Sequence, residues 1–132
     1  MLIVADVKSL EVVGAAYLSK DETLCQEVKD QTDFHALNQE RFGLPNRTLA
    51  KIFKFKLIYG ATAWGYANDS DFIAVSKSQD FWQGIIDEYY SKYAGIKGWH
   101  KNIVVQAIRE GCWLSPTGRK YLYPSADVAA RD

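Results

Sequence analysis

Arg47, Lys51, Phe55 and Tyr59 stand at four-residue intervals, and Gly60 follows directly. On an α-helix each interval advances about 400°, so the line drifts only about 40° per step and stays on one face. Two cations come first and two aromatic rings after them. Cations suit the oxygens of a triphosphate, and a flat ring suits a base. The face therefore offers a nucleotide what it needs, in the order in which a nucleotide would lie along it. Ordinary surface packing of an amine beside a ring gives the same pattern, so spacing alone leaves both readings open.

The segment that must carry this line is well punctuated. Pro45 stops what precedes it, Asn46 is suited to an N-cap, and Gly60 sits where a helix ends in a left-handed residue. Leu49, Ile52, Phe53 and Leu57 supply an apolar face for the same helix. Arg47, Lys51, Lys54 and Lys56 place four positive charges within ten residues with no acid between them, a local cationic patch.

Around that helix the pattern is mostly helical. Residues 2–7 are largely apolar and read as a buried strand ending at Asp6 and Val7. A helical pattern starts near Leu10, and residues 21–29 suggest a short helix. Thr32 or Asp33 caps a third helix that runs to about Phe42. After Gly60, Ala61–Trp64 is short and apolar, 68–71 is a turn or a helix start, and Phe72, Val75 and Gln79 suggest one short helix. Residues 80–94 form a helix with Phe81, Ile85, Tyr89 and Tyr93 on its inner face. Gly95 and Gly98 are expected to break it, and Trp99–Arg109 to form another helix, burying Ile103 with Ala107 and Val104 with Ile108. Gly111 ends it. Two aromatic arms around Pro116 and Gly118 read as a hairpin over 112–123. The fold class is mainly α (α+β): a helical body with a strand at the N-terminal end and a hairpin near the C-terminal end.

The 132 residues are enough for one modest core, and 48% hydrophobic with 24% charged residues is a globular composition. No apolar run approaches the roughly 18 residues that cross a bilayer. The opening Met1–Ala5 is too short for a signal peptide and lacks its basic residues, so the cytoplasm is the expected location. A net charge of zero argues mildly against a free-standing nucleic-acid binder. Cys25 and Cys112 lack metal-ligand spacing and read as packing residues rather than a disulfide.

Residues 47–60, RTLAKIFKFKLIYG, resemble motif B of family A (Pol I-like) DNA polymerases, R-x3-K-x3-F/Y-x3-Y-G, at every specified position. ADVKSLE at 5–11 resembles motif A, A-D-x-S-x-I/L-E. Asp33-Phe34-His35 resembles the family's D-I-H, and Arg47 follows His35 by 12 positions, an interval similar to the bacteriophage branch. Thr117-Gly118-Arg119-Lys120 resembles the segment in which the family's chain returns toward the palm. The four matches come in the family's order and span nearly the whole chain.

The resemblance implies a fragment of a DNA-directed DNA polymerase. Residues 1–20 would be a palm remnant with motif A, 21–111 the helical fingers, and 112–132 the returning palm hairpin and tail. It implies Asp6 and Lys51 as catalytic residues, with Asp6 holding Mg2+ in the complete enzyme. Glu11, His35, Arg47, Lys51, Phe55 and Tyr59 would bind the incoming dNTP: Glu11 as the gate against a ribose, Phe55 beside the sugar, and Tyr59 near the templating base. Gly60, Arg119 and Lys120 would touch primer-template DNA. From the residues alone, Asp6 serves as well as an N-cap, Glu11 as a surface acid, His35 as a core or capping residue, Gly60 as a C-cap, and Arg119 and Lys120 as a hairpin flank.

The chain departs from the family pattern in several places. Lys8 replaces the usual Ser, Val13 and Thr48 stand where Arg is common, Lys54 stands at a usually neutral position, and Lys56 replaces a common Gly. Motif C, H-D-E, has no counterpart, so the isolated chain is expected to be inactive and to lack a complete metal site. With its palm partners missing, the apolar strand 2–7 and the hairpin are expected to drive a homodimer through these remnants, with no membrane partner. The rival readings are a stand-alone nucleotide- or nucleic-acid-binding module without catalysis, and a structural or interaction domain.

Overall fold

The computed structural model describes residues 2–4 and 9–125, and in them seven helices precede one hairpin. The helices are α1 (Leu10–Ser19), α2 (Glu22–Lys29), α3 (Phe34–Arg41), α4 (Arg47–Ile58), α5 (Ala63–Ala67), α6 (Gln79–Lys92) and α7 (Ala94–Glu110). Strands β1 (Cys112–Leu114) and β2 (Lys120–Leu122) pair antiparallel, with Trp113 opposite Tyr121. The chain divides after Ile96 into two compact units. The first holds α1 to α6 and the start of α7; the second holds the rest of α7 and the hairpin.

Local chemistry sets the helix ends. Asp21, Asp33, Asn46, Thr62 and Ser78 each stand at an N-cap and accept a hydrogen bond from a backbone N–H two or three residues on, which satisfies donors that no helix can pair. At the end of α4, Gly60 takes φ +88°, its N–H donates to Leu57 O, and the Ala61 N–H donates to Lys56 O. That pair of bonds is the Schellman closure, and its left-handed residue favours glycine.

The core of the first unit is aromatic. Phe53 of α4 lies within ring contact of Phe42, Tyr66, Trp82 and Tyr89, at centroid separations of 6.0, 4.8, 6.3 and 6.4 Å. Phe72 meets both Tyr66 and Trp82 edge-on. Polar tips inside this cluster find backbone partners: the Tyr66 hydroxyl donates to Phe53 O (2.7 Å) and Trp82 Nε1 donates to Ser76 O (2.9 Å).

Several sequence expectations change here. The strand over 2–7 is not seen where it can be judged: residues 2–4 have no regular structure, and Leu2, Ile3 and Val4 are exposed. The remainder of that stretch, including Asp6, lies outside the described residues. Ala61–Trp64 leads into a true helix, α5, capped by Thr62. Phe72 and Val75 sit in consecutive turns, while Gln79 opens α6. On α6 the inner face is Trp82, Ile85, Ile86 and Tyr89, and Phe81 is exposed. Val104 and Ile108 are exposed as well, although Ala107 is buried. Cys25 and Cys112 are free thiols, as expected.

The largest correction concerns Gly95 and Gly98, because α7 runs through both without a break. The turn falls at Tyr93 instead, whose ψ of 67° is not helical. Gly95 has a different task. Its N–H donates to Asp21 Oδ2 (2.7 Å) while the other oxygen of Asp21 caps α2 through the Leu24 N–H (2.8 Å). One buried carboxylate thus serves the starts of two helices. A Cβ on Gly95 would lie 2.7 Å from Asp21 Cα, so only glycine permits the approach.

Lys54 is the other surprise, being fully buried. Its Nζ has no hydrogen-bond partner among the described residues and lies over the rings of Phe34 (4.4 Å) and Tyr93 (5.5 Å). Beside it, Glu27 of α2 accepts from Lys92 Nζ (2.8 Å) and from the Tyr93 hydroxyl (2.7 Å), and Lys92 also reaches Asn38 Oδ1 of α3. Burial pushes the Lys54 ammonium down to about 7; Glu27 opposes that and Lys92 adds to it.

Two measurements test these contacts. Gly95→Ala should cost roughly 1–3 kcal/mol in urea denaturation, from overpacking against Asp21. Gly98→Ala, where a Cβ meets nothing within 4 Å, should be neutral or stabilising by up to about 1 kcal/mol. Equal effects would contradict the account of Gly95. For Lys54, the unfolded amine titrates near 10.5 and the folded one about 7. Between these values the unfolded chain binds more protons, so stability should rise with pH across that window. Lys54→Met should flatten the rise and exceed the parent's stability at pH 6; an unchanged slope would contradict the assignment.

Candidate nucleotide-binding face

The N-termini of α3 and α4 come together through one ion pair. Arg47, the first residue of α4, donates from Nε to Asp33 Oδ2 (3.1 Å) and from Nη2 to Asp33 Oδ1 (3.2 Å). The same Asp33 Oδ1 accepts the His35 and Ala36 N–H groups, each at 3.1 Å. Asp33 thereby fixes the start of α3, and α3 carries His35. The Ala36 N–H bond and then the Arg47 guanidinium hold the Asp33 carboxyl below the usual carboxylate range.

His35 is buried and meets Phe55 edge-to-face at 5.8 Å. Burial pushes its imidazole below its ordinary 6.5, and the charges of Lys54, Arg47 and Lys51 press the same way against Asp33. It is therefore neutral at pH 7, a hydrogen-bonding group rather than a third cation. Lys51 Nζ lies over the Phe55 ring at 5.5 Å. His35, Arg47, Lys51 and Phe55 are thus brought into one neighbourhood. Tyr59 caps the far end of the helix and is 78% exposed, with Gly60 beside it.

A cavity of about 400 Å³ opens beside this cluster, lined by Ser9 and Val13 of the α1 region, Thr32, Asp33, His35 and Arg47. Its volume lies within the range of small-molecule sites. Glu11 is exposed on the first turn of α1 and does not line the cavity. Arg119 and Lys120 belong to the second unit. Arg119 closes the hairpin loop through Ser115 and lies over the Tyr121 ring (5.6 Å), and Lys120 opens β2. Asp6 lies outside the described residues.

The cationic patch expected from the sequence is reduced in space. Lys54 is buried, Lys56 pairs with Asp69, and Arg47 pairs with Asp33. Lys51 remains exposed without an acidic partner among the described residues. Among those residues there is no group of three or more His, Cys, Asp or Glu that could hold a metal ion. Asp33, which the sequence marks as a motif letter and a cap two residues before His35, also pairs with Arg47, a contact across 14 positions that no local signal reveals.

Comparison with known proteins gives a consistent result. The family model described as DNA polymerase family A matches residues 1–131. DNA polymerase I of Pseudomonas aeruginosa is 31% identical over 131 residues, covering 93% of this chain and 14% of the relative. DNA polymerase I of Mycobacterium leprae is 27% identical over 138 residues, covering 98% and 15%. The chain therefore spans about one seventh of the length of these curated relatives. The fold matches a solved structure described as the POL domain of Pol1 from M. smegmatis in complex with DNA primer-template and dNTP. The TM-score is 0.77 at 22% identity over 92% of this chain and 22% of that one. A match to the family over residues 1–131, together with a relative 31% identical over nearly the whole chain, identifies the sequence: it belongs to DNA polymerase family A.

Proposed function

We propose that this chain forms the nucleotide-binding fingers of a DNA-directed DNA polymerase, with the exposed face of α4 holding the incoming deoxynucleoside triphosphate. The observation that carries this reading is the meeting of His35, Arg47, Lys51 and Phe55 around the starts of α3 and α4. Phosphoryl transfer depends mostly on positioning and on stabilising charge. Arg47 and Lys51 supply charge toward the phosphates, neutral His35 a hydrogen bond, Phe55 a surface for the sugar, and Tyr59 a surface near the templating base. Glu11 would gate the sugar, and Gly60, Arg119 and Lys120 would meet the primer-template.

In this reading residues 1–20 act as a palm remnant, 21–111 as fingers and 112–132 as a returning hairpin and tail. Asp6 and Lys51 are its catalytic residues. Asp6 would be a ligand of Mg2+ in the complete enzyme, where the ion supplies charge neutralisation to the transferring phosphate. The 12-position interval from His35 to Arg47 supports a bacteriophage-type member, although the relatives reported are bacterial. Work on DNA implies a cytoplasmic location, and no described helix is long and apolar enough to cross a membrane. The chain by itself is proposed to pair with a second copy through its palm remnants, because Leu2, Ile3 and Val4 are 78–89% exposed.

Titration of the chain with a dNTP tests the face directly. Arg47→Ala and Lys51→Ala should each weaken binding about tenfold, as expected for a charge-assisted hydrogen bond. Lys101→Ala on α7 should leave it unchanged, and equal affinities across all variants would overturn the reading. Sedimentation at tens of micromolar should show a dimer that Ile3→Asp dissociates. A monomer, or a dimer indifferent to that change, would overturn the self-association.

A further inference from the structure

Asp33 does more than cap a helix. Its carboxylate makes a two-pronged contact with Arg47, the same guanidinium that the nucleotide reading assigns to phosphate. We propose that Asp33 is a positioning residue that parks Arg47 until a triphosphate takes it over, and so sets the affinity of the site for its ligand. This inference rests on the nucleotide reading of the α4 face.

Three observations carry it. First, Arg47 stands at the N-terminus of α4, where the helix dipole disfavours a cation, and the first turn contains no acid. A cation there needs an anion, and Asp33 is the one present. Second, both partners are about half exposed, at 57% and 51% of their side-chain surface. An ion pair this open shifts an equilibrium by roughly fivefold at most, so it is exchangeable rather than a lock. Third, Asp33 and Arg47 both line the cavity beside α1, so a polyanion arriving at Arg47 meets the negative charge of Asp33 at once.

The geometry also says which partner moves. Asp33 Oδ1 is tied to the His35 and Ala36 N–H groups, so its carboxylate is fixed to the start of α3. Arg47 has a long side chain, is about half exposed, and among the described residues its guanidinium contacts Asp33 alone, so it is the partner free to turn toward a ligand. Neutral His35 does not offset the charge of Asp33. A bound triphosphate must therefore replace the carboxylate on Arg47 and tolerate it nearby, and both requirements weaken binding.

Asp33→Asn separates charge from cap, because an amide oxygen accepts the same two N–H groups. Inorganic tripolyphosphate and a dNTP should each bind Asp33→Asn roughly two- to fivefold more tightly than the parent. Asp33→Ser, which keeps a capping oxygen, should move affinity the same way. The gain should shrink clearly when Arg47→Gln is present in both proteins, leaving only the relief of charge repulsion. A residue that only supports the fold would lower affinity or leave it alone. A parent that binds while both variants bind no better overturns the role of Asp33, as does a gain that is undiminished with Arg47→Gln. Absence of binding by parent and variants alike overturns the nucleotide reading itself and takes this inference with it.

Discussion

Phe53 lies where the rings of Phe42, Tyr66, Trp82 and Tyr89 converge, and its burial fixes the rotation of α4 about its own axis. Ala50, Lys54, Leu57 and Ile58 complete the buried side at helical spacing. Once that side is inward, Arg47, Lys51 and Tyr59 must face out, and Phe55 lies between the two sides. Tyr66 reinforces the setting by donating its hydroxyl to Phe53 O, which ties α5 to the middle of α4. A close-packed cluster of this kind tolerates little change in volume, so the exposed line is held by the stiffest part of the unit.

Around this anchor, charge is distributed by depth. Lys54 is sunk among Phe34, Tyr93, Glu27 and Lys92, where an ammonium is costly and its proton is loosened. Lys56 is neutralised by Asp69, whose carboxyl that contact draws below the usual range. Arg47 is held by a carboxylate that water can reach. Of the four cations of α4, Lys54 is buried and Lys56 is paired in a half-buried contact, while Arg47, paired at the surface, and Lys51 are accessible. Only the accessible pair lies on the side turned away from Phe53, toward the neighbourhood of His35.

The parts of this arrangement that depend on short-range chemistry were legible in the sequence. Asn46, Asp33 and Gly60 punctuate their helices by side-chain type and by position, and the structure places them at those caps. The hairpin from Cys112 to Leu122 followed from Pro116 and Gly118 between aromatic arms. The parts that depend on contacts distant in sequence were not legible. Gly95 looks like a breaker until Asp21, far away in the chain, is seen to need the space of its missing side chain. Lys54 looks like surface until one notices that positions 50, 53, 54, 57 and 58 form a single inward pattern. The turns at 72–75 end where Trp82 Nε1 needs Ser76 O, a bond that no local rule foretells. The cluster of His35, Arg47, Lys51 and Phe55 was legible through its resemblance to a family motif. The pairing of Arg47 with Asp33 was visible only in space.

The central claim is that the exposed side of α4, together with the start of α3, is a nucleotide-binding face. The most direct test is to record backbone and arginine side-chain resonances of the isotopically labelled chain while a dNTP is added. The account predicts shifts confined to His35, Asp33, Arg47, Lys51, Phe55 and the Arg47 guanidinium, fading beyond the aromatic core. Shifts centred on α7 and the hairpin, with the α4 face unmoved, would contradict it.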